Sequence, residues 1–300
     1  MIKEAEKGVN IEFTKMHGCG NDYVYINGFT QMIWQEEKKD FVVRVSDRHF
    51  GIGSDGVIFI NPSDKADFEM EMYNADGSRA EMCGNGIRCV AKYVYDHDMT
   101  DKCDITIESF GKIKPIHITA KDGRAELIRV DMGEPELRAE YIPVGLSLSD
   151  STDNGSAPGN SRVVDVPVTA DGTEYRMTCV SMGNPHAVIF LDPEGLDIEA
   201  VGPGLENNDV FPNRANIEFV RVDDRNNVHM RVWERGTGET LACGTGCCAT
   251  AVACILNGKT DRKVTVHVLG GDIVVEWSEA DNHVYMTGPA TTVYDGVIEV

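Results

Sequence analysis

Two stretches of the chain carry the same order of hydrophobic and polar signals. From Met70, the residues MEMYN alternate apolar and polar side chains, the period of a half-buried strand. After a polar loop, the run CGNGIRCVAKY from Cys83 to Tyr93 sets apolar residues at helical spacing. From Met230, MRVWE alternates in the same way, and CGTGCCATAVA from Cys243 to Ala253 is apolar nearly all round, the pattern of a buried helix. A Gly-x-Gly follows each cysteine, and Asn74 and Glu234 stand at equal distances upstream of the two. The likeness reaches further back. IEFTKMHGCGNDYVYING, from Ile11 to Gly28, predicts a strand, a Gly-rich turn and a strand, with Asn21 following Gly20. MGNPHAVIF, from Met182 to Phe190, repeats that turn with Asn184 after Gly183. Asn21 precedes Cys83 by nearly the interval that separates Asn184 from Cys243, so the chain reads as a tandem duplication.

The remaining segments fill out the same plan. Ile33 to Arg48 has a helical pattern ending in a turn, RHFGIGSDG, before the strand VIFI. Asp104 to Val130 supplies strands punctuated by Gly111 and Gly123. Ser149 to Ser161 is polar and predicts an exposed loop near the junction of the halves. Val163 to Ala170 and Tyr175 to Val180 read as strands, Leu205 to Phe211 as polar loop, and Ala215 to Val222 as a strand with Asn216 at its start. Lys263 to Val300 gives short strands with Gly and Asn turns. The fold class is α/β (α+β), rich in strands, with one long apolar helix per half.

Length and charge narrow the classes. A chain of 300 residues suffices for two domains with real cores. With 28 basic and 49 acidic residues the net charge is −21, which repels phosphate backbones and anionic lipid. Nucleic acid and membrane are therefore not expected as partners. The first ten residues, MIKEAEKGVN, lack the apolar stretch of a signal peptide, and nine cysteines in such a chain suggest thiols in a reducing compartment, the cytoplasm.

The chemistry lies at the two cysteines. Each is expected at the first turn of its helix, where unpaired amides and the macrodipole favour a thiolate and lower the thiol pKa. The neighbouring glycines let backbone N–H groups close around a carboxylate. Two such units acting on one substrate would move a proton from one face of a carbon to the other. His186 and Glu234 are placed in the repeat to tune the thiols, and Glu234 can accept from a substrate ammonium group. Arg235 can hold a distant carboxylate in a fork. Asn21, Asn74, Asn184 and Asn216 suit a ligand with several ammonium and carboxylate groups.

Other readings fit less well. Cys243, Cys247, Cys248 and Cys254 lack the second knuckle of a zinc site. Lys92 lacks the phosphate cup of a pyridoxal enzyme. Gly51 to Gly56 matches G-x-G-x-x-G, but a strand follows where the dinucleotide fingerprint needs a helix. Gly244 to Ala249 opens a helix, but GTGETLA before it is not a buried strand. No metal and no cofactor are expected. A protein that captures such a ligand without turning it over would have no need of two activated thiols.

The stretches HGCGNDYVYIN, RHFGIGSDG, MYNADGSRAEMCGNGIRC, SMGNPHAVIF, NRANIEFV and WERGTGETLACGTG together resemble the diaminopimelate epimerase family. The resemblance implies two pseudo-symmetric domains, each a mostly antiparallel strand barrel wrapped around a central helix, with the last strand returning to the first domain. It implies a division into residues 1–127 with 289–300, carrying Cys83, and residues 128–288, carrying Cys243. It implies cofactor-independent interconversion of LL- and meso-diaminopimelate, for lysine and cell-wall precursors, with Cys83 and Cys243 as the two bases. Asn21, Asn74, Asn184, Asn216, Glu234 and Arg235 would bind substrate; Gly84, Asn85, Gly244 and Thr245 would hold the reacting carboxylate. The substrate is then a small diamino acid, and a homodimer is the assembly the resemblance admits. The alternative is a related cofactor-independent racemase acting on another amino acid. The chain departs from the family in two places: Gly56 stands where Gln is frequent, and residues 149–161 have the look of an insertion.

Overall fold

The structure, a computed structural model, describes residues 9–80, 83–145 and 161–299. It divides into two compact units, Met1–Ile128 with Pro289–Val300, and Arg129–Gly288. Residues 149–160 of the polar stretch named above lie outside the described residues.

In the first unit, β1 (Asn10–Gly18) and β2 (Asn21–Asn27) form an antiparallel hairpin. Its two-residue turn holds Cys19 and Gly20 both at positive φ, 52° and 85°, the twist that a tight hairpin needs. Helix α1 (Gln35–Ser46) then carries the chain to β3 (Gly56–Asn61), which lies parallel to β2. A parallel pair needs such a crossover. β4 (Phe68–Asn74) returns antiparallel to β3, a two-residue β5 (Arg79–Ala80) folds back on it, and α2 (Gly84–Asp96) crosses to β6 (Asp104–Ser109), parallel to β4. β7 (Lys112–Lys121) pairs with β6, and β8 (Arg124–Gly133) leads the chain onward.

The second unit repeats the order. β9 (Val166–Ala170) and β10 (Thr173–Ser181) are antiparallel, and β11 (Pro185–Phe190) continues the ladder. Helix α3 (Ile198–Glu206) crosses to β12 (Asn216–Val222), parallel to β11. β13 (Asn227–Glu234) and the short β14 (Gly238–Thr240) follow, then α4 (Gly244–Leu256) crosses to β15 (Lys263–Val268), parallel to β13. β16 (Gly271–Trp277) and β17 (Val284–Gly288) complete the unit. The last strand, β18 (Thr291–Glu299), belongs to the first unit, where it runs antiparallel to β1.

Helices α2 and α4 sit inside their units: the sequence of α4 offers water no polar face, and α2 buries most of its residues. Cys247, Cys248, Ala249, Ala251, Val252 and Cys254 of α4 are fully buried. Alanines and cysteines keep α4 slim enough for strands to close around it, and larger side chains would overpack by about 1–3 kcal/mol. In α2 one charged residue, Arg88, is fully buried. A buried charge needs partners, and its guanidinium donates to the carbonyls of Gly84 and Pro289 and to Asn85 Oδ1 at 3.0–3.1 Å. Arg88 thereby fastens α2 to the segment that enters β18.

The expected mixed α/β class holds, with strands dominating. One element differs from the sequence reading: α3 ends only at Glu206, inside the segment expected to be loop, and its start was not foreseen. Gly202-Pro203-Gly204 hid it, since glycine and proline inside a helix argue against one. Asp197 caps it by accepting from Ala200 N–H at 3.2 Å. Gly202 is needed for packing: a Cβ there would lie 2.4 Å from the Trp233 ring.

Candidate active site

Both cysteines are the N-cap residues of the internal helices. Cys83 has φ −133° and ψ 111°, and Cys243 has φ −115° and ψ 110°. Ser, Thr, Asp and Asn are the residues that cap well. Cysteine is not among them, yet it stands at both caps. The first intrahelical bonds, from Ile87 N and Cys247 N to the cysteine carbonyls, leave the first-turn amides of Gly84, Asn85, Gly244 and Thr245 outside the helix ladder. Such amides suit a carboxylate.

In the first unit the structure brings Asn21, Cys83 and Asn85 together. Cys83 is half-buried; its Sγ donates to Asn21 Oδ1 at 3.2 Å and accepts from Gly86 N–H at 3.2 Å. Asn85 Nδ2 faces Asn21 Oδ1 at 3.5 Å. Asn74 is not in that cluster. It is exposed at the end of β4 and donates to Ser78 Oγ, while its backbone is opposite Gly56 on β3. Gly56 has a structural reason: a Cβ there would lie 2.0 Å from the Tyr73 carbonyl oxygen. The side chain frequent at this position in the family has no room on this backbone.

In the second unit, hydrogen bonds connect nearly every residue singled out from the sequence. Cys243 Sγ is 3.5 Å from Thr245 Oγ1, which accepts from Asn184 Nδ2 at 3.3 Å. Asn184 Oδ1 is 3.1 Å from His186 Nε2, and His186 Nδ1 is 2.6 Å from Glu218 Oε1. Asn216 Oδ1 accepts from Arg235 N–H at 2.8 Å, and its Nδ2 lies 3.5 Å from His186 Nδ1. Glu234 accepts from the Thr240 hydroxyl. Burial pushes the Glu234 carboxyl up, despite the Thr240 bond. Arg235 is exposed; its guanidinium donates to the Asn213 carbonyl at 3.0 Å and is paired with no carboxylate among the described residues.

Sequence reasoning missed Glu218. It is fully buried, and its Oε2 has no hydrogen-bond partner among the described residues. The only signal was positional: in the duplicated strand the corresponding residue is Ile58, and the two contact corresponding glycines. A Cβ on Gly86 would meet Ile58 Cδ1 at 2.7 Å, and one on Gly246 would meet Glu218 Oε1 at 2.8 Å. Glu218 also bears on the expectation of a lowered thiol pKa, which does not hold for Cys243. Burial pushes that thiol well above its ordinary value, and the Glu234 and Glu218 charges push it further. The helix start is outweighed by desolvation.

Two rejected readings have structural counterparts. Lys92 donates to Asp96 Oδ2 and the Ala125 carbonyl, both at 2.7 Å. The Gly51–Gly56 run leads into β3, not a helix. Among the described residues no cluster of three or more His, Cys, Asp and Glu could hold a metal ion, and no helix is long and apolar enough to cross a membrane.

Comparison with known proteins bears on the whole chain. Residues 13–138 and 178–293 match the pattern of the family described as diaminopimelate epimerase. A diaminopimelate epimerase of Agathobacter rectalis is 56% identical over 295 residues, covering 97% of this chain and 100% of that protein. One of Acetivibrio thermocellus is 52% identical over 291 residues, covering 97% and 99%. Among solved structures, a phenazine biosynthesis protein of the PhzF family from Bacillus anthracis superposes with a TM-score of 0.69 at 16% identity, covering 97% of this chain and 100% of that one. That likeness shows a shared fold. With the family pattern matched in both halves and relatives more than half identical along nearly the full length, the chain belongs to the diaminopimelate epimerase family.

Proposed function

We propose that this protein interconverts LL- and meso-diaminopimelate by a two-cysteine, cofactor-independent mechanism. The observation that carries the reading is the pair of cysteines at matched helix N-caps, within a chain whose close relatives bear that enzyme's name. The reacting carboxylate would lie on the first-turn amides of Gly84, Asn85, Gly244 and Thr245. There the partial positive charge of two helix starts stabilises the negative charge that develops when the α-carbon loses its proton. One cysteine, as thiolate, takes the α-proton and becomes a thiol. The other, as thiol, gives its proton to the opposite face and becomes a thiolate, so protons balance and the roles reverse for the return reaction.

Asn21, Asn74, Asn184 and Asn216 would take the ammonium and carboxylate groups, and Arg235, with no acidic partner among the described residues, the distant carboxylate. Glu234 would accept from an ammonium group. His186 and Glu234 would tune Cys243, His186 acting through Asn184 and Thr245. The same reading places the enzyme in lysine and cell-wall precursor synthesis in the cytoplasm, without nucleic-acid partners. Val293, Tyr294 and Val297 on the exposed β18 support a homodimer.

Purified protein given LL-diaminopimelate alone should form the meso isomer, and Cys83→Ala and Cys243→Ala should each abolish this. Failure on LL-diaminopimelate with turnover of proline or another amino acid would point to a related racemase.

A further inference from the structure

The duplicated asparagines Asn21 and Asn184 are oriented differently: Asn21 turns its oxygen to the Cys83 thiol, and Asn184 turns its nitrogen to the Thr245 hydroxyl beside Cys243. An amide has an acceptor end and a donor end, and its neighbours decide which way it faces. Asn21 Nδ2 donates to Asp55 Oδ2 at 2.7 Å. A carboxylate only accepts, so the amide oxygen must face the other way, and there it accepts from Cys83 Sγ. In the second unit the nitrogen end of Asn184 faces Thr245, the neighbour of Cys243, and the oxygen end faces His186.

Asp55 is well held in that role. Its Oδ2 also accepts from Asp22 N–H at 3.2 Å, and its Oδ1 accepts from Arg48 at 2.8 Å. Arg48 also bonds both carboxylate oxygens of Asp22, which pairs with Lys15 on β1. Burial pushes Asp22 up, but bonds from Arg48 and Lys15 more than offset this and hold it below the usual carboxylate range. The other titratable and charged groups around the thiol, Tyr23 and Tyr25 on β2, Cys19 in the turn before it, and Arg88 and Cys89 on α2, are all buried. Burial raises Cys89 to about 12 and Tyr25 well above its usual value. Neither competes for a proton near neutral pH.

We propose that Asp55 is a positioning residue which, acting through Asn21, keeps Cys83 a thiol until a ligand takes the Asn21 oxygen. An amide oxygen hydrogen-bonds a thiol and repels a thiolate. A substrate ammonium group donating to that oxygen would remove the restraint, leaving Gly86 N–H to stabilise the thiolate. The proposal rests on the reading of Cys83 as a catalytic thiol, but its test does not.

The test is the pH dependence of iodoacetamide alkylation at Cys83 in the full-length enzyme, followed by mass spectrometry, with Cys243 followed in the same samples. Freed of the carboxylate, Asn21 can turn its nitrogen to the sulfur. Asp55→Asn should then raise the Cys83 rate at pH 7 by about tenfold, with an unchanged plateau at high pH, because only the thiolate fraction changes. Asn21→Leu should do the same, and Asp55→Asn added to Asn21→Leu should accelerate it no further. Asp55→Ser gives the same readout should the new amide not pack. Three results would overturn the proposal: an unchanged rate in Asp55→Asn; an acceleration that persists without the Asn21 side chain, which would be a direct charge effect; or a plateau that rises with the rate, which would be loosened structure. A protein with no epimerase activity would still give one of these alkylation outcomes, so the two readings fail separately.

Discussion

Gly86 and Gly246 occupy the same place, the third residue of the two internal helices, yet substitution by alanine should affect them differently. At Gly86 the new methyl meets Ile58 Cδ1 at 2.7 Å, the far end of a flexible side chain, with Cys83 Cβ at 3.4 Å and Sγ at 3.6 Å. A rotamer change at Ile58 relieves the first contact, and alanine in a helix stabilises by about 0.4–1 kcal/mol through the unfolded chain. Gly86→Ala should therefore change stability by less than about 1 kcal/mol and keep turnover within about threefold. At Gly246 the methyl meets Glu218 Oε1 at 2.8 Å, Cys243 Cβ at 3.1 Å and Sγ at 3.3 Å. The carboxyl cannot swing away, because it is fully buried and bonded to His186 at 2.6 Å. The strain must pass to Cys243 or to the His186 pair, costing about 1–3 kcal/mol. A thiol moved by a fraction of an ångström should lose roughly 10–100-fold in kcat, since misplacement by about 1 Å costs about a hundredfold. Initial rates of meso isomer formation and urea unfolding read both effects. Equal losses in the two variants, or a wild-type rate in Gly246→Ala, would refute the reasoning.

Further outcomes follow from particular contacts. Arg235→Met should raise KM for diaminopimelate by roughly 10–100-fold with kcat largely kept, the worth of a charged hydrogen bond to a carboxylate; an unchanged KM would remove Arg235 from the binding site. Arg88→Met leaves the Gly84 and Pro289 carbonyls and Asn85 without their donor and should destabilise in urea unfolding by about 1–3 kcal/mol for an acceptor left unsatisfied; a loss below about 1 kcal/mol would show that those groups find other partners. Glu218→Gln removes a negative neighbour from Cys243, whose thiol is raised first by burial and then by Glu234 and Glu218. Its pKa should fall, so Cys243 alkylation should begin at lower pH than in the wild type. An unmoved profile would contradict that assignment.

The repeat, the strands and the internal helices were legible because each rests on local periodicity, and a helix that must be buried all round says so in its composition. The N-cap placement of both cysteines was legible for the same reason: a polar loop ends and an apolar run begins at that residue. What escaped depended on distant neighbours. Glu218 sits in ANIEFVRV, where alternation alone does not tell a buried acid from a solvated one. Asp55 sits in a Gly-rich turn whose motif drew attention to its glycines, and only the folded turn brings it against Asn21. The raised pKa of Cys243 reflects the depth at which α4 begins, which no spacing encodes. Helix α3 escaped because Trp233, on a later strand, supplies the surface that tolerates its glycines.

The central claim is that the thiol which removes the proton is not the one that returns it. The most direct measurement is the deuterium content of both isomers during the first few per cent of reaction of unlabelled LL-diaminopimelate in heavy water. Two bases predict meso product carrying one deuterium at the inverted α-carbon, while recovered LL substrate remains protiated. Product that retains the substrate's own hydrogen, or substrate that gains deuterium as fast as product forms, would show one group acting on both faces and would contradict the account.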